Sequence, residues 1–192
     1  MTAPARTLDT TPETTTTTAT ATATRAATDA LVRDFGLLAV RLVGGLLMAG
    51  HGAQKLFGWW GGPDFDFVVN GFGQAGYTPA KFFALLASSA ELLGGLFLAL
   101  GFLTPLACAA IIGVMFNAVV AVHWKSGAWT QNGGYELPLL LGVIAVAVAC
   151  TGPGQLSLDR GWRWATGGAA SALTGVGLGL AGGLVAMAVK AL

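Results

Sequence analysis

Long apolar stretches separated by short polar or glycine-rich segments are the main pattern along this chain. A hydrocarbon core about 30 Å thick requires roughly 20 apolar residues at 1.5 Å each, because every backbone amide must find its partner within the helix. Five segments approach that length, at about 35–57, 82–102, 104–124, 135–151 and 166–189. The pattern predicts an all-α, polytopic membrane bundle of four or five helices.

The fifth segment is unusually rich in small residues: Gly168, Ala172, Gly175, Gly179 and Gly183. Each glycine costs about 1 kcal/mol in a helix interior. Their spacing of about four residues nevertheless places them on one face, where they allow close helix packing in lipid. We therefore predict that residues 161–192 contain a fifth transmembrane helix.

The first 34 residues form a different region, since 13 of residues 1–30 are Thr and 8 are Ala. Such a composition cannot bury a core. The first long apolar stretch begins only near Phe35, too late for a signal peptide. Residues 1–34 are predicted to be a disordered, uncleaved cytoplasmic tail.

Composition supports a membrane protein, because the chain has a mean hydropathy of +0.69 and only 10% charged residues. Soluble domains carry about 25% charged residues. The net charge of +1 gives no basic field for nucleic acid. The expected partners are the lipid bilayer and other proteins in a membrane complex.

Short motifs between the segments indicate local geometry and orientation. In GFLTP, Gly101 can end one helix, Thr104 can cap the next, and Pro105 suits its first turn. The cytoplasmic flanks of membrane helices are enriched in Lys and Arg. This rule favours a cytoplasmic N-terminus here. The expected location is the cell membrane, which is the inner membrane of a bacterium. On the side of the N-terminus lie Arg25, Arg33, Arg160 and Arg163. On the other side lie Lys81, Lys125 and Lys190.

Polar residues within the apolar segments are the functional candidates, because a charge near the bilayer centre costs about 2.5 kcal/mol or more. Depth along each helix places most of them in the outer leaflet. The candidate membrane site comprises His51, Lys55, Glu91, Asn117, His123 and Glu136.

Helical geometry supports a shared site. At 100° per residue, Arg41, His51 and Lys55 lie within an arc of about 80° on the first helix. Glu91 shares a helix face with small residues that suit close packing against other helices. Its side chain is therefore expected to point into the bundle. The alternative interpretation is that Glu91 only neutralises Lys55 or Arg41, with the histidines at a wet interface.

Arg41 is predicted to have a structural role on the cytoplasmic side. It lies about six residues, or ~9 Å, from the inner end of its helix, so its side chain can extend towards that interface. Asp159 follows the fourth segment on the same side. The two are expected to form an ion pair.

Three blocks carry a resemblance to a known family: GHGAQKLFGWWGG at 50–62, AELLGGLFLALGFLTPLA at 90–107, and GGYELPLLL with GPGQLSLD within 133–159. In order and spacing the chain resembles the DoxX family of small membrane proteins over about residues 35–160. The resemblance implies a four-helix membrane core over that range. The Thr-rich tail and the fifth segment lie outside it.

The resemblance also implies a functional setting. DoxD is a subunit of a thiosulfate:quinone oxidoreductase, and another relative associates with a superoxide dismutase and a sulfurtransferase. A membrane subunit of a redox complex, associated with an oxidoreductase and touching quinone, is therefore expected. A small-solute carrier and a non-catalytic accessory subunit remain alternatives, and whether the chain is itself an enzyme is left open.

Other chemistries receive little support from the sequence. There is no CxxC, HExxH or P-loop motif. His51 and His123 could ligate haem or a metal from two helices. Because the chain has two histidines in all, we expect neither a metal nor a haem.

Overall fold

The computed structural model describes residues 13–163 and 167–190, and within those ranges it contains helices and no strand. The α-helices are α1 (Glu13–Phe57), α2 (Phe65–Gln74), α3 (Ala80–Leu100), α4 (Thr104–Asn117), α5 (Glu136–Thr151), α6 (Gly168–Ala172) and α7 (Leu178–Lys190). A π-helical turn at Ala118–His123 extends α4. A second one at Leu173–Gly177 joins α6 to α7. Thr104–Ser126 and Gly168–Lys190 are thus continuous helices of 23 residues each.

Several helices have the length and surface that a bilayer requires. By length and composition, α3, Thr104–Ser126 and Gly168–Lys190 can each cross a membrane, and the 16-residue α5 is shorter but equally apolar. The second half of α1 exposes large side chains such as Phe35, Val43 and Leu46. An apolar surface of this kind suits lipid. The predicted all-α membrane helix bundle is confirmed.

Four helices share one core, and the fifth lies outside it. Buried side chains of α1, α3, α4 and α5 form this core, including Met48, Leu98, Ile111 and Val148. α1 packs mainly on α3, while α4 lies between α3, α5 and α7. The architecture is therefore a four-helix core with the continuous helix α6–α7 packed against α4.

Glycines explain the close packing of the fifth helix. A Cβ added to Gly179 would lie 2.8 Å from Cβ of Ile112, and one added to Gly183 would lie 2.9 Å from the Phe116 ring. Small residues at such positions let backbones approach closely. The predicted packing face is confirmed at these positions, whereas a Cβ at Gly168 would meet nothing within 4 Å.

The α3–α4 hairpin differs in one detail from the expectation. Gly101 ends α3 in the left-handed conformation with φ of 63°, and Pro105 lies in the first turn of α4, as predicted. Thr104 does not cap α4, since the N-cap residue is Leu103 and it makes no side-chain hydrogen bond there. The cap comes instead from Asp159, whose carboxylate accepts the N–H groups of Leu103 (2.9 Å) and Thr104 (2.7 Å).

The N-terminal region also differs from its prediction. Helix α1 begins at Glu13, so residues 13–34 are helical, while residues 1–12 lie outside the described part of the chain. Ala is the best helix former, and each residue added to an existing helix gains a hydrogen bond. The apolar segment can therefore extend its helix through the Thr/Ala-rich sequence. Asp34 is moreover buried and accepts the N–H of Gln155 at 3.2 Å.

The bundle has two distinct ends. At the α2 end, residues 58–79 join α1 to α3 and residues 127–135 lead into α5. At the hairpin end, residues 101–103 join α3 to α4, and residues 152–163 follow α5. Exposed tryptophans cluster at the α2 end: Trp59, Trp60, Trp124 and Trp129. Such aromatic belts mark a membrane–water interface.

Candidate functional site

An apolar cavity of about 660 Å³ lies over α4, between α3 and α7, and α2 covers its end. Its volume falls within the range of small-molecule sites, roughly 300–1,000 Å³. Most lining residues are apolar or small, with a few polar groups among them. The polar side chains that line it are Lys55, Tyr77, Glu91, Asn117 and His123.

Lys55 and Glu91 form an ion pair in the wall of this cavity. Lys55, in the last turn of α1, donates to Oε1 of Glu91 on α3 at 2.5 Å. The two helices approach closely here because Gly52 has no side chain. A Cβ at this position would lie 2.4 Å from the backbone nitrogen of Leu92. The Glu91 side chain is only 2% exposed, whereas that of Lys55 is 35% exposed. The carboxylate is thus fixed in a dry position, and the ammonium group keeps access to solvent or ligand.

The second oxygen of Glu91 has no hydrogen-bond partner in the part of the chain that the structure describes. Oε2 is buried and accepts no hydrogen bond from the described residues, and neither does the hydroxyl of Ser88, one turn earlier on α3. A buried polar atom without a partner costs about 1–3 kcal/mol. Glu91 lines the cavity, so a small rotation of its carboxyl group would bring this oxygen to a bound ligand with an O–H or N–H donor.

Asn117 holds the cavity wall together. Its amide nitrogen donates to the carbonyls of Gly113 (2.9 Å) and Gly183 (3.0 Å), which links α4 to α7. Its amide oxygen accepts the Tyr77 hydroxyl at 2.8 Å. With these bonds Asn117 acts as a support for the wall. Lys190 of α7 also lies over the Tyr77 ring, 5.3 Å from its centroid.

His123 lines the cavity at the end of the π-helical turn of α4. Its Nδ1 lies 2.6 Å from the carbonyl oxygen of Gly133, so the ring is held by the loop that leads into α5. π-Helical turns inside α-helices are frequent at functional sites. This turn puts Ala118 and Val122 on the cavity wall as well.

The remaining predicted residues lie outside the cavity. His51 is half-buried on α1, one turn before Lys55, and does not line it. Glu136 begins α5, and its Oε1 accepts the backbone N–H of Thr130 at 2.7 Å. The structure therefore unites Lys55, Glu91, Asn117 and His123 around one cavity and gives Glu136 a role in the loop.

The roof of the cavity was not foreseen from the sequence. Phe67 and Phe72 of α2 line the cavity, and the ring of Tyr77 packs at a tilt between the rings of Phe72 and Phe83, with centroids 5.5 and 5.2 Å away. The sequence does hold a signal for α2, because Asp64 caps it by accepting the N–H of Phe67 at 2.7 Å, and apolar residues follow at helical spacing. Burial raises the pKa of the Tyr77 hydroxyl, so it remains a donor.

Arg41 and Asp159 form a second polar cluster, at the hairpin end, which we call the hairpin clamp. Arg41 is 1% exposed and donates to the carbonyls of Pro153, Leu156 (2.7 Å) and Ala99 (3.4 Å). Within the described residues the predicted pair makes no direct salt bridge: Arg41 binds backbone oxygens and Asp159 caps α4, while the two charges still attract each other. Both charges find backbone partners because residues 152–159 leave carbonyl groups without helical partners, and the start of α4 leaves N–H groups without them.

The donor set gives no support to a metal site in the part of the chain that the structure describes. No group of three or more His, Cys, Asp or Glu side chains comes together there. His51 and His123 lie on different helices, and His123 is held by the Gly133 carbonyl.

The DoxX family model matches residues 36–124. The match runs from the apolar half of α1 to the end of the helix that contains α4, and it includes Lys55, Glu91, Asn117 and His123. The predicted resemblance is confirmed over this range, which is just under half of the chain. The blocks within 133–159 lie beyond the match. No curated protein and no solved structure matches the chain.

Proposed function

We propose that this membrane protein is the membrane subunit of a redox complex and binds the head group of a quinone or quinol at Lys55 and Glu91. The observation that carries the proposal is the unpartnered, buried Oε2 of Glu91 beside an apolar cavity. A cavity of this kind selects a molecule that is largely apolar but carries a few polar atoms at one place.

The pair offers complementary groups to both redox forms of such a head group. A quinol hydroxyl can donate to Oε2 of Glu91. A quinone carbonyl can accept from Lys55, which has three N–H donors and uses one of them for Glu91. Reduction of a quinone takes up two electrons and two protons. In this proposal a partner subunit exchanges the electrons, while Glu91 and Lys55 hold protons at the head group.

Binding of a short-tailed benzoquinone to the purified full-length protein in mild detergent tests this proposal. Glu91→Gln keeps the shape of the side chain and removes its charge, and Lys55→Met removes the donor. Each is expected to weaken binding about tenfold or more, since a hydrogen bond to a charged group is worth roughly 1.5–3 kcal/mol. Calorimetry would measure the affinity.

Glu136→Gln is the matched control, because Glu136 is a carboxylate at the α2 end that lies outside the cavity. It should bind quinone like the unaltered protein. Equal affinity in the Glu91→Gln, Lys55→Met and unaltered proteins would overturn the proposal. Substrate-dependent flux in proteoliposomes without quinone binding would instead support a small-solute carrier, and partner capture with neither activity would support an accessory subunit.

The proposal includes a location and an orientation. We place the protein in the cytoplasmic membrane with the hairpin end at the cytoplasm, because arginines such as Arg33 and Arg160 lie at that end. Single cysteines in a Cys108→Ala, Cys150→Ala background test it. An impermeant thiol reagent added to intact cells should label Thr130→Cys at the α2 end and spare Arg160→Cys. The reverse pattern would invert the orientation.

A further inference from the structure

The cavity that contains Lys55 and Glu91 is a groove on the lipid-facing side of the bundle. Its floor consists of half-buried small residues of α4, among them Ala109, Ala110 and Gly113. Its rims are exposed: Leu86 on α3 is 51% exposed, and Leu178 on α7 is 54% exposed. Since these helices face lipid, the space between the rims opens sideways into the bilayer.

The floor continues past the ion pair towards the middle of the membrane. Gly94, three residues after Glu91, faces Ala110 and Ile111 of α4. Because α3 and α4 are antiparallel, Ala109 and Ala110 lie about 5 Å closer to the hairpin end than Glu91 does. Below the ion pair the groove is thus lined by small apolar residues, and no other charged side chain lines it there among the described residues.

The other direction is closed by aromatic residues. Towards the α2 end, Phe67 and Phe72 of α2 and Phe83 of α3 cover the groove, close to the belt of exposed tryptophans. Flat aromatic side chains suit a planar ring. An apolar chain has no favourable route through this interfacial end, but it can leave over the α4 floor into lipid.

We infer that the ligand is a membrane-dissolved amphiphile with a single apolar tail, which enters between α3 and α7. Its planar head lies at Lys55 and Glu91 below the aromatic roof, and its tail lies along Ala109, Ala110 and Gly113 and emerges beside Leu178. The identity of the head group rests on the proposed function. The lateral route and the tail site rest on the groove itself.

Gly182 provides a way to block the groove without disturbing the fold. It lies on the α7 rim, lines the groove, and a Cβ placed on it would meet nothing within 4 Å. Gly182→Leu therefore projects a side chain into the opening. Gly177, five residues earlier on the same helix, is also exposed and open but lies outside the groove. Gly177→Leu is the matched control, with the same gain in helix propensity.

The experiment uses a benzoquinone with a photoreactive diazirine at the end of its tail, added to the full-length protein in phosphatidylcholine vesicles. Crosslinks mapped by mass spectrometry should fall on the floor and rim, at residues such as Ala109 and Leu178. Gly182→Leu should lower this labelling about tenfold, because the leucine side chain occupies the space that the tail would fill, and Gly177→Leu should not. Labelling confined to α1 or α2, or unchanged in Gly182→Leu, would overturn the inference.

Two further arms separate this inference from the proposed function. A phosphatidylcholine with the same diazirine tail should label the groove at least about fivefold less than the quinone, and equal labelling would show a lipid-filled groove with no selected head group. If Glu91→Gln leaves quinone labelling intact while Gly182→Leu abolishes it, the tail groove stands and the head-group proposal fails. Loss in Glu91→Gln with no effect of Gly182→Leu would keep the head-group proposal and reject the lateral route.

Discussion

The hairpin clamp and the Lys55–Glu91 pair are both buried charged clusters, but their hydrogen bonding differs. In the clamp, both terminal nitrogens of Arg41 donate to backbone carbonyls, and both oxygens of Asp159 accept backbone N–H groups. In the pair, one oxygen of Glu91 has Lys55 and the other has no partner among the described residues. The Asp159 carboxylate is satisfied by its own chain, and among the described residues the clamp leaves Nε of Arg41 without a partner; the Glu91 carboxylate is left incomplete beside a cavity.

This difference distinguishes a structural cluster from a candidate site. Charges satisfied by backbone groups hold segments together and gain nothing from a ligand. An incomplete buried carboxylate costs stability, and that cost is recovered when a ligand donates to it. The two clusters should therefore respond differently to substitution, the clamp in stability and the pair in binding.

The largest effect is expected from exchanging the clamp charges. Arg41→Asp with Asp159→Arg should be about as unstable as the sum of the two single variants, because the two side chains attract each other without direct contact and their hydrogen bonds go to different backbone groups. Thermal unfolding in mild detergent would measure this. A double variant more stable than either single one would restore the ion-pair interpretation.

Arg41→Leu alone should lower the free energy of unfolding by about 3 kcal/mol, because it leaves the carbonyls of Pro153, Leu156 and Ala99 without donors. Arg33→Leu, on an exposed position of the same helix, is the control and should cost little. The comparison fails if the two variants have the same thermal stability.

Asp159→Ala should cost about 1–2 kcal/mol, the usual loss when a helix N-cap is removed. The α4 N-terminus then has two N–H groups without acceptors, at Leu103 and Thr104. Asp159→Asn should retain part of the stability, since its amide oxygen can still accept. The midpoint of thermal unfolding would rank the unaltered protein, Asp159→Asn and Asp159→Ala. An unchanged midpoint in Asp159→Ala would show that Asp159 does not stabilise the clamp.

Glu91→Gln should change stability least, by less than about 1 kcal/mol, while weakening quinone binding. The Lys55 side chain is 35% exposed, so its ammonium group can be hydrated when its partner loses charge. Unfolding and binding should be measured on the same preparation. A large loss of stability would make the pair structural, like the clamp.

Much of the fold could be predicted from the sequence, for a simple physical reason. A bilayer requires each crossing helix to be long, apolar and internally hydrogen-bonded, and these properties are written in consecutive residues. The turn at Gly101 and the small-residue face at Gly179 and Gly183 follow similarly from local geometry. The helical conformation of residues 13–34 was missed because Thr/Ala composition alone does not show which helix can extend through it.

The candidate site could be predicted only in part. Depth along each helix placed most of the six candidates in one leaflet, and the structure brings four of them, Lys55, Glu91, Asn117 and His123, to one cavity. The other two candidates, His51 and Glu136, lie outside the cavity. The rotation of each helix against its neighbours, and the loop that captures Glu136, depend on contacts between distant segments.

The sequence by itself thus determined a membrane helix bundle of four or five long apolar segments and the short list of intramembrane polar residues. Only the tertiary structure decided that Arg41 binds the 152–159 segment, that Asp159 caps α4, and that α2 covers a groove at Glu91. The physical reason is that a helix satisfies its own backbone locally, whereas a buried charge must find its partner wherever the packing of the whole bundle places one.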